Sequence, residues 1–361
     1  MRRYRGLVVG SVVIVVGCRQ ILGIDDPDHE PDAQSLSDAP QCYGDTSDGS
    51  LISVCVQPTT SHVILDTAVN TDNDPRCASV TPPVGPEVCV LEAVDIMIDG
   101  QIALTGHRPL VIVGTHTISI SSTAVLDASS RLGTRNGPDA NDSTCPTLAS
   151  AMLGGGGAGG SFGATGGNGG GSGAKAALPQ VPIFVRGGCA GSTDTSIGVQ
   201  GSGPGGGAVY LIAGTSIEID GVILANGGGG RAPNGSGGEG GGGGGAGGLI
   251  GLAAPMGLGG GAVMAVGGGG GEGGPAGPGS SADGQDPSGN FGEIAKGGSL
   301  NPNGGNGGNG GGFTSIATSG GSGSGSGTMI GGGGGGGGSV GVVWVRAKMF
   351  NVMNVSPAKR P

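Results

Sequence analysis

Long glycine tracts constrain the fold of this chain more than any other feature of its sequence. Glycine accounts for 91 of the 361 residues; twelve of these precede position 151, and the other 79 lie between Gly154 and Gly341. A residue without a side chain adds nothing to an apolar core and loses the most backbone entropy on folding. The tracts must therefore either stay disordered or be ordered by their backbone groups. The richest tracts are 154–173, 201–207, 227–248, 267–274, 304–312 and 331–338.

Short apolar segments with a two-residue period separate the tracts, and one of them occurs twice. Residues 96–102 read Ile-Met-Ile-Asp-Gly-Gln-Ile, and residues 217–223 read Ile-Glu-Ile-Asp-Gly-Val-Ile, an offset of 121 positions. An apolar side chain at every second residue is the pattern of a strand with one buried face. The Asp-Gly pair indicates a turn or kink between two such strands.

The same pattern recurs at a shorter distance, which indicates stacked coils. Ile96 and Ile98 reappear as Ile118 and Ile120, 22 residues later. A repeat of that length suits one coil of a parallel β-helix, in which equivalent residues stack and each coil needs neighbours to bury its apolar face. Further aligned positions are Leu110 and Ile112 with Val209 and Leu211, Ile118 and Ile120 with Ile217 and Ile219, and weaker copies at 249–252 with Val263 and at 342–345.

We predict an all-β fold, a parallel β-helix-like stack of short strands from which the glycine tracts emerge as long excursions on one side. The alternative is a β-sandwich, because the same alternation also fits strands joined by hairpins. Turn sequences that would join matched hairpin strands are scarce, which favours the stack.

The glycine tracts differ from ordinary flexible linkers in two ways. They contain few of the charges or serine runs that keep a linker solvated, and they alternate with strands that must return to register. Glycine keeps the N–H that proline lacks, so neighbouring tracts in a three-residue-per-turn extended conformation could bond laterally. We therefore predict that at least part of 154–173, 227–248 and 331–338 packs as a polyglycine II bundle against the β body. The alternative is disorder.

The first eighteen residues are typical of an export signal. Three arginines within the first five residues precede an uncharged apolar stretch of eleven residues, 6–16. That stretch is too short to cross a bilayer as a helix, which takes about 20 residues, but it suits the apolar region of a signal peptide. It ends in Val-Val-Gly-Cys18, which resembles the bacterial lipobox and implies that Cys18 is lipidated. The alternative is a plain signal peptide with an incidental cysteine.

Six further cysteines follow Cys18. An even number in an exported chain predicts three disulfides. A zinc site is the competing interpretation, but there is no Cys-x2-Cys pair and the four histidines lie at no ligand-like spacing. The simplest pairing joins neighbours in sequence, namely Cys42–Cys55, Cys77–Cys89 and Cys145–Cys189.

Composition divides the chain into five regions. Residues 19–50 contain eight acidic residues and one basic residue, which predicts a self-repelling flexible tether. The predicted regions are a lipoprotein signal peptide (1–17), an acidic flexible tether (18–50), a cysteine-bearing β-helix-like part (51–150), a glycine-rich β body (151–350) and a C-terminal tail (351–361).

Motifs for common chemistry are absent or weak. The net charge of −10 without a basic stripe argues against nucleic acid as a partner. The Gly-x-Ser-x-Gly pattern around Ser339 has no histidine after it, so we predict no catalytic serine.

One polar cluster could bind a metal ion. Asp72, Asn73 and Asp74 offer oxygens suited to Ca²⁺. However, they lack the glycine and distal glutamate of an EF-hand, and they also fit an ordinary turn. We expect no cofactor, with Ca²⁺ at this turn as the weak candidate.

A β-helix also invites comparison with polysaccharide-active enzymes. Glycoside hydrolysis needs a pair of carboxylates on one site. The strand modules offer only Asp99, Glu218, Asp220 and Arg108, and the Asp-Gly context of two of them predicts turns. We therefore predict no catalytic residues.

Four features of the sequence together resemble the glycine-rich surface lipoproteins abundant in myxobacterial-type genomes. They are the lipobox, the acidic tether, the cysteine-bearing lead-in and the segment 205–227, which reads Gly-Gly-Gly-Ala-Val-Tyr-Leu-Ile-Ala-Gly-Thr-Ser-Ile-Glu-Ile-Asp-Gly-Val-Ile-Leu-Ala-Asn-Gly. The resemblance implies lipidation of Cys18 and assigns no activity. We expect an exported protein at the outer membrane or cell surface, anchored in the membrane by lipid, with a structural or adhesin-like role and a surface glycan or protein as ligand. The alternative function is a carbohydrate-binding or polysaccharide-cleaving β-helix.

Overall fold

Stacked parallel strands form the body of the computed structural model, which describes residues 39–44, 49–57, 59–193, 201–234, 237–326 and 329–360. These residues form eighteen strands and no helix, and so nothing in them has the length and apolar character of a membrane-spanning helix. The first nine strands are β1 (Gln41–Tyr43), β2 (Val54–Val56), β3 (His62–Leu65), β4 (Val69–Asn70), β5 (Ala78–Val80), β6 (Val88–Ile98), β7 (Gln101–Thr105), β8 (Leu110–Ile120) and β9 (Val125–Asp127). The other nine are β10 (Ala208–Ala213), β11 (Ser216–Ile219), β12 (Val222–Leu224), β13 (Leu249–Ala253), β14 (Met256–Met264), β15 (Gly325–Ser326), β16 (Met329–Ile330), β17 (Val342–Arg346) and β18 (Met349–Ser356).

Fourteen of the strands belong to one sheet that winds through successive coils of three legs. The first leg consists of the first halves of β6 and β8, followed by β10, β13 and β17. The second leg contains the second halves of β6 and β8, then β11 and the first halves of β14 and β18. The third leg contains β7, β9, β12 and the ends of β14 and β18. All these pairings are parallel, whereas β5 lies antiparallel on β6 at the start of the stack.

The register of this sheet confirms the sequence repeats. Ile98 pairs with Ile120, which pairs with Ile219, so the 22-residue repeat is the step from one coil to the next. The weaker copies also fall in register, because β13 pairs with β10 and β17 pairs with β13. The described residues are thus all-β and mostly parallel, consistent with a β-helix-like stack. Their antiparallel sheets, β1 with β2 and β15 with β16, have only two strands each, whereas the β-sandwich alternative requires two larger antiparallel sheets.

Alternate side chains of the legs point into the stack and form its apolar core. Ile98, Ile120 and Ile219 are buried one above the other, as the two-residue period predicts. The outward face of the first leg is buried as well, beneath the segment that contains β2. There the fully buried Tyr210 ring leaves no room for a side chain at its neighbour Gly251, and the Tyr210 hydroxyl lies 3.0 Å from Ser50 Oγ.

Three disulfides join the cysteines as neighbours in sequence, which confirms the predicted bonds. Cys42–Cys55 links β1 to β2, Cys77–Cys89 ties the segment before β5 to β6, and Cys145–Cys189 crosses to the glycine-rich region. Disulfides persist in oxidising compartments, so the three bonds suggest an exported protein.

The ends of the chain relate to the predicted regions as follows. The described residues do not include the predicted signal peptide, Cys18 or residues 19–38 of the predicted tether. Strand β1 falls within the range predicted for the tether, and β18 runs into the range predicted for the C-terminal tail. Residues Pro40–Pro361 form one compact unit.

Candidate functional site

Twelve extended, glycine-rich tracts lie side by side at one corner of the strand stack. Tracts leave the third leg after β12 and β14 and return to the first leg before β10, β13 and β17. Their ranges are 154–160, 163–170, 186–192, 201–207, 225–231, 239–248, 265–274, 282–286, 295–299, 303–311, 318–324 and 331–341.

Backbone hydrogen bonds join each tract to its neighbours with a period of three residues. From Gly332 to Ser339, successive N–H groups of the tract 331–341 donate to three different neighbouring tracts in turn, at 2.8–3.0 Å. The carbonyl groups of the same tract accept from three other tracts in the same rotation. Six tracts therefore surround this one, in the order 154–160, 163–170, 318–324, 303–311, 265–274 and 239–248.

Two further tracts, 239–248 and 265–274, also have six hydrogen-bonded neighbours each. The three tracts with six neighbours are bonded to one another, so they form the centre of a hexagonal array. The remaining nine tracts form a closed outer ring, in which each is bonded to the next. Around the ring the order is 154–160, 163–170, 318–324, 303–311, 295–299, 282–286, 225–231, 201–207 and 186–192.

The central tract 331–341 and the outer tract 303–311 differ in where they carry side chains. The central tract 331–341 begins with eight consecutive glycines. A Cβ added to any of these eight would overlap a backbone carbonyl oxygen of a neighbouring tract, so no other residue fits without movement of the neighbours. The outer tract 303–311 instead carries an asparagine at every third position, at Asn303, Asn306 and Asn309, where the side chains are exposed or half-buried.

Polar side chains supply the hydrogen bonds that the outer tracts cannot obtain from backbone. Ser319 Oγ accepts the N–H of Asn168 at 3.3 Å, and Thr318 Oγ1 accepts the N–H of Asn309 at 2.7 Å. Ser322 Oγ accepts the N–H of Gly171 at 3.3 Å. Among the described residues, no buried side-chain nitrogen or oxygen lacks a hydrogen-bond partner. The polar side chains buried in the array therefore meet the requirement that buried polar groups be bonded.

Glu272 is the acidic residue buried in the centre of the array, and sequence reasoning missed it. Its side chain is fully buried, and its two oxygens accept the N–H groups of Ala282, Leu300 and Asn301 at 2.5–2.8 Å. The carboxylate thus fixes two neighbouring loops to the central tract. The available signal was a single acidic residue that interrupts a long glycine run.

Asp139 is a second buried carboxyl group that the sequence did not single out. It accepts the N–H of Gly187 at 3.1 Å, at the start of the tract 186–192. Its pKa is raised to about 7, mainly by burial and also by the nearby Asp142, while the hydrogen bond from the Gly187 N–H opposes the shift. Beside the same tract, the buried guanidinium of Arg186 lies over the Phe162 ring and bonds to Gln180 at 2.7 Å.

The two carboxyl groups proposed for Ca²⁺ are engaged with His107 and Arg76. Asp72 accepts from the backbone N–H of His107 at 2.8 Å and lies 2.8 Å from its Nδ1. Asp74 forms an ion pair of 2.7 Å with Arg76, whose hydrogen bonds lower the pKa of that carboxyl group. The backbone N–H groups of Asn73 and Asp74 donate to the carbonyl of Asn70, which is the geometry of a turn.

The polar residues of the strand modules do not converge on one site. Asp99 accepts from the N–H of Gly100 in the turn after β6, and Asp220 accepts from the N–H of Gly260 at the irregularity within β14. Glu218 is exposed on β11, and Arg108 pairs with Glu87 at 2.7 Å.

Two other polar groups have defined surroundings. Ser339 is buried in the array, where its Oγ accepts the N–H of Phe162 at 3.0 Å. Asp95 lies between His62 and His116, whose Nδ1 atoms are 3.0 and 2.9 Å from its two oxygens. Within the described part of the chain, no three His, Cys, Asp or Glu side chains are grouped so as to hold a metal ion.

One side of the outer ring carries no ionisable side chain. The three consecutive ring tracts 163–170, 318–324 and 303–311 form this side, which we call the uncharged face. Elsewhere the ring carries Arg231, Asp283, Asp286 and Lys296 on its tracts 225–231, 282–286 and 295–299.

Comparison with known proteins reveals no relative of this chain. No protein-family model matches it, and neither a curated protein nor a solved structure does. The hexagonal array and its uncharged face are therefore the features on which a functional assignment rests.

Proposed function

We propose that this chain is an exported, lipid-anchored surface protein of the cell envelope with an adhesin-like, non-catalytic role. In this proposal the strand stack is a β-helix, and the twelve tracts form a polyglycine II bundle that projects from it as a rigid element. The observation that carries the proposal is the closed hydrogen-bonded array of three central and nine outer tracts.

The array suits a structural or adhesive role because of how its groups are used. Most of its backbone donors and acceptors are bonded to neighbouring tracts, and its buried carboxylate Glu272 is occupied by three N–H groups. An array with few side chains and an interior held by hydrogen bonds suits a stiff exterior surface.

Export and anchoring are supported by separate features. The three disulfides fit an oxidising compartment. Cys18 stands at the end of a signal-like segment, where lipidation with more than one acyl chain would give a stable membrane anchor. The acidic tether that follows would hold the folded body away from a negatively charged membrane surface.

A Cys18→Ser substitution tests the anchor. We expect the variant to leave the membrane fraction or to retain its signal peptide, because each buried CH₂ of a lipid chain contributes about 0.8 kcal/mol to membrane binding and the variant loses all of them. Fractionation followed by intact-mass measurement distinguishes the lipidated, unprocessed and soluble forms.

The control is Ser35→Ala, which changes the tether outside the lipobox and should fractionate as the wild-type protein does. Protease treatment of intact cells then shows whether the body is exposed at the surface. An unchanged membrane fraction and unchanged mass for Cys18→Ser would refute the anchor.

A further inference from the structure

We propose that the uncharged face binds a neutral, hydroxyl-rich polysaccharide presented as an insoluble surface. The inference rests on the proposed adhesin-like function, to which it adds the binding face and the chemical class of the ligand. It is carried by three features of the tracts 163–170, 318–324 and 303–311: their charge, their hydrogen-bonding groups and their periodicity.

The first feature is the absence of charge on this face. The whole chain has a net charge of −10, yet residues 297–345 contain no Asp, Glu, Lys, Arg or His, and neither do residues 143–174. Two of the three tracts lie in the first of these ranges and one lies in the second. A charged polymer that bound here would bury its charges against a face with no opposite charge to pair with them. A neutral polymer would bury no charge.

The second feature is the chemistry of the exposed side chains. Asn303, Asn306, Thr318, Ser319 and Ser322 are exposed on this face. Asparagine amides and the hydroxyl groups of serine and threonine both donate and accept hydrogen bonds. Sugar hydroxyl groups also do both, so each group on the face can bond to a neutral sugar without the loss of a charge or a change of protonation.

The third feature is the regular spacing of these groups. Asn303, Asn306 and Asn309 recur every third residue, as do Ser319 and Ser322 on the neighbouring tract. This spacing corresponds to about 9 Å in a three-residue-per-turn extended chain with a 3.1 Å rise. Neighbouring outer tracts are held in fixed register by hydrogen bonds such as those from Thr318 to Asn309 carbonyl and from Gly321 to Asn306 carbonyl. The face therefore presents a rigid lattice of hydrogen-bonding groups.

A lattice of this kind favours a polymer surface over a single sugar. The aromatic residues nearest in sequence to these tracts are Phe162, which is fully buried, and Phe313, which is half-buried. The tracts themselves contain no aromatic side chain on which a sugar ring could stack. Each hydrogen bond to a surface group contributes only about 0.5–1.5 kcal/mol net. Many such bonds must therefore form together. Once one repeat unit of a polymer is bound, the bonds to its next units form within the same complex, which favours a repeating ligand.

The test is co-sedimentation of the oxidised, detergent-solubilised full chain with microcrystalline cellulose and with chitin. We expect the wild-type protein to bind at least one of them, with an affinity that is the same at low and high salt because no ion pair forms. Soluble oligosaccharides of the same sugars should compete poorly. The variant Asn303→Asp with Asn306→Asp keeps the size of both side chains and adds two charges, and we expect it to bind at least about tenfold more weakly.

The matched control is Asn234→Asp with Gln285→Glu, which adds the same two charges at exposed positions elsewhere on the array. It should bind within about twofold of the wild-type protein. The inference is overturned if the wild-type protein sediments with neither polymer, or if both double variants bind alike. Neither outcome bears on whether the protein is anchored at the cell surface, because fractionation of Cys18→Ser tests the anchor separately.

Discussion

A single Cβ atom decides which residue the central tracts accept. At Gly335 it would overlap the carbonyl oxygen of Gly242 in the neighbouring tract, and that oxygen is held by a hydrogen bond from Gly271. At Gly277, in a loop outside the array, an added Cβ would meet nothing within 4 Å. Neither glycine has a left-handed backbone, so the two positions differ in packing and not in backbone strain.

We predict that Gly335→Ala destabilises the protein by about 1–3 kcal/mol, the usual cost of forcing atoms into a packed interior. Gly277→Ala should change the free energy of unfolding by less than about 0.5 kcal/mol, as surface substitutions usually do. Chemical denaturation of the two variants beside the wild-type protein measures the difference. Equal stability for both variants would mean that the tracts are not packed as described.

The strands and the tracts differ in how well their arrangement could be predicted from the sequence. Strand pairing could be predicted, because apolar side chains such as Ile98, Ile120 and Ile219 stack only in one register. The neighbours of each glycine tract could not, because a run without side chains carries no pattern that distinguishes one partner from another. The buried Glu272 was missed for a related reason, since it takes its partners from loops far along the chain.

The three-residue period gives a prediction for whole tracts. One glycine inserted between Gly307 and Gly308 would turn the part of that tract after the insertion by one position and move Asn309 into the place of Gly310. There a Cβ would overlap the carbonyl oxygen of Gly267. The three-residue insertion Gly-Asn-Gly at the same point would keep every asparagine at an outward position.

We therefore expect the one-residue insertion to lower the thermal midpoint by several degrees, the shift that corresponds to about 1–3 kcal/mol. The longer insertion should lower it less. Thermal unfolding followed by circular dichroism compares the two variants. A loss of stability that simply increases with the length of the insertion would contradict a three-residue register.

The strand stack and the glycine array depend on each other in the whole molecule. The strands are continuous with the tracts that precede β10, β13 and β17 and with those that follow β12 and β14. The spacing of the coils therefore sets where the tracts begin and end. The array in turn closes each excursion and returns the chain to the register of the next coil. A glycine run alone could not overcome its conformational entropy, whereas one held at its base by a packed sheet starts from a partly ordered state.

Amide hydrogen exchange of the central tracts tests this account most directly, because it reads the hydrogen bonds that define the array. The oxidised full chain is exchanged, digested and analysed for peptides from 239–248, 265–274 and 331–341, with the loop 276–281 as the internal reference. We predict strong protection in all three central tracts, comparable to that of β8 and β10, and rapid exchange in the loop. Complete exchange of the central tracts within seconds, alongside protected strands, would contradict the array and leave the tracts as linkers.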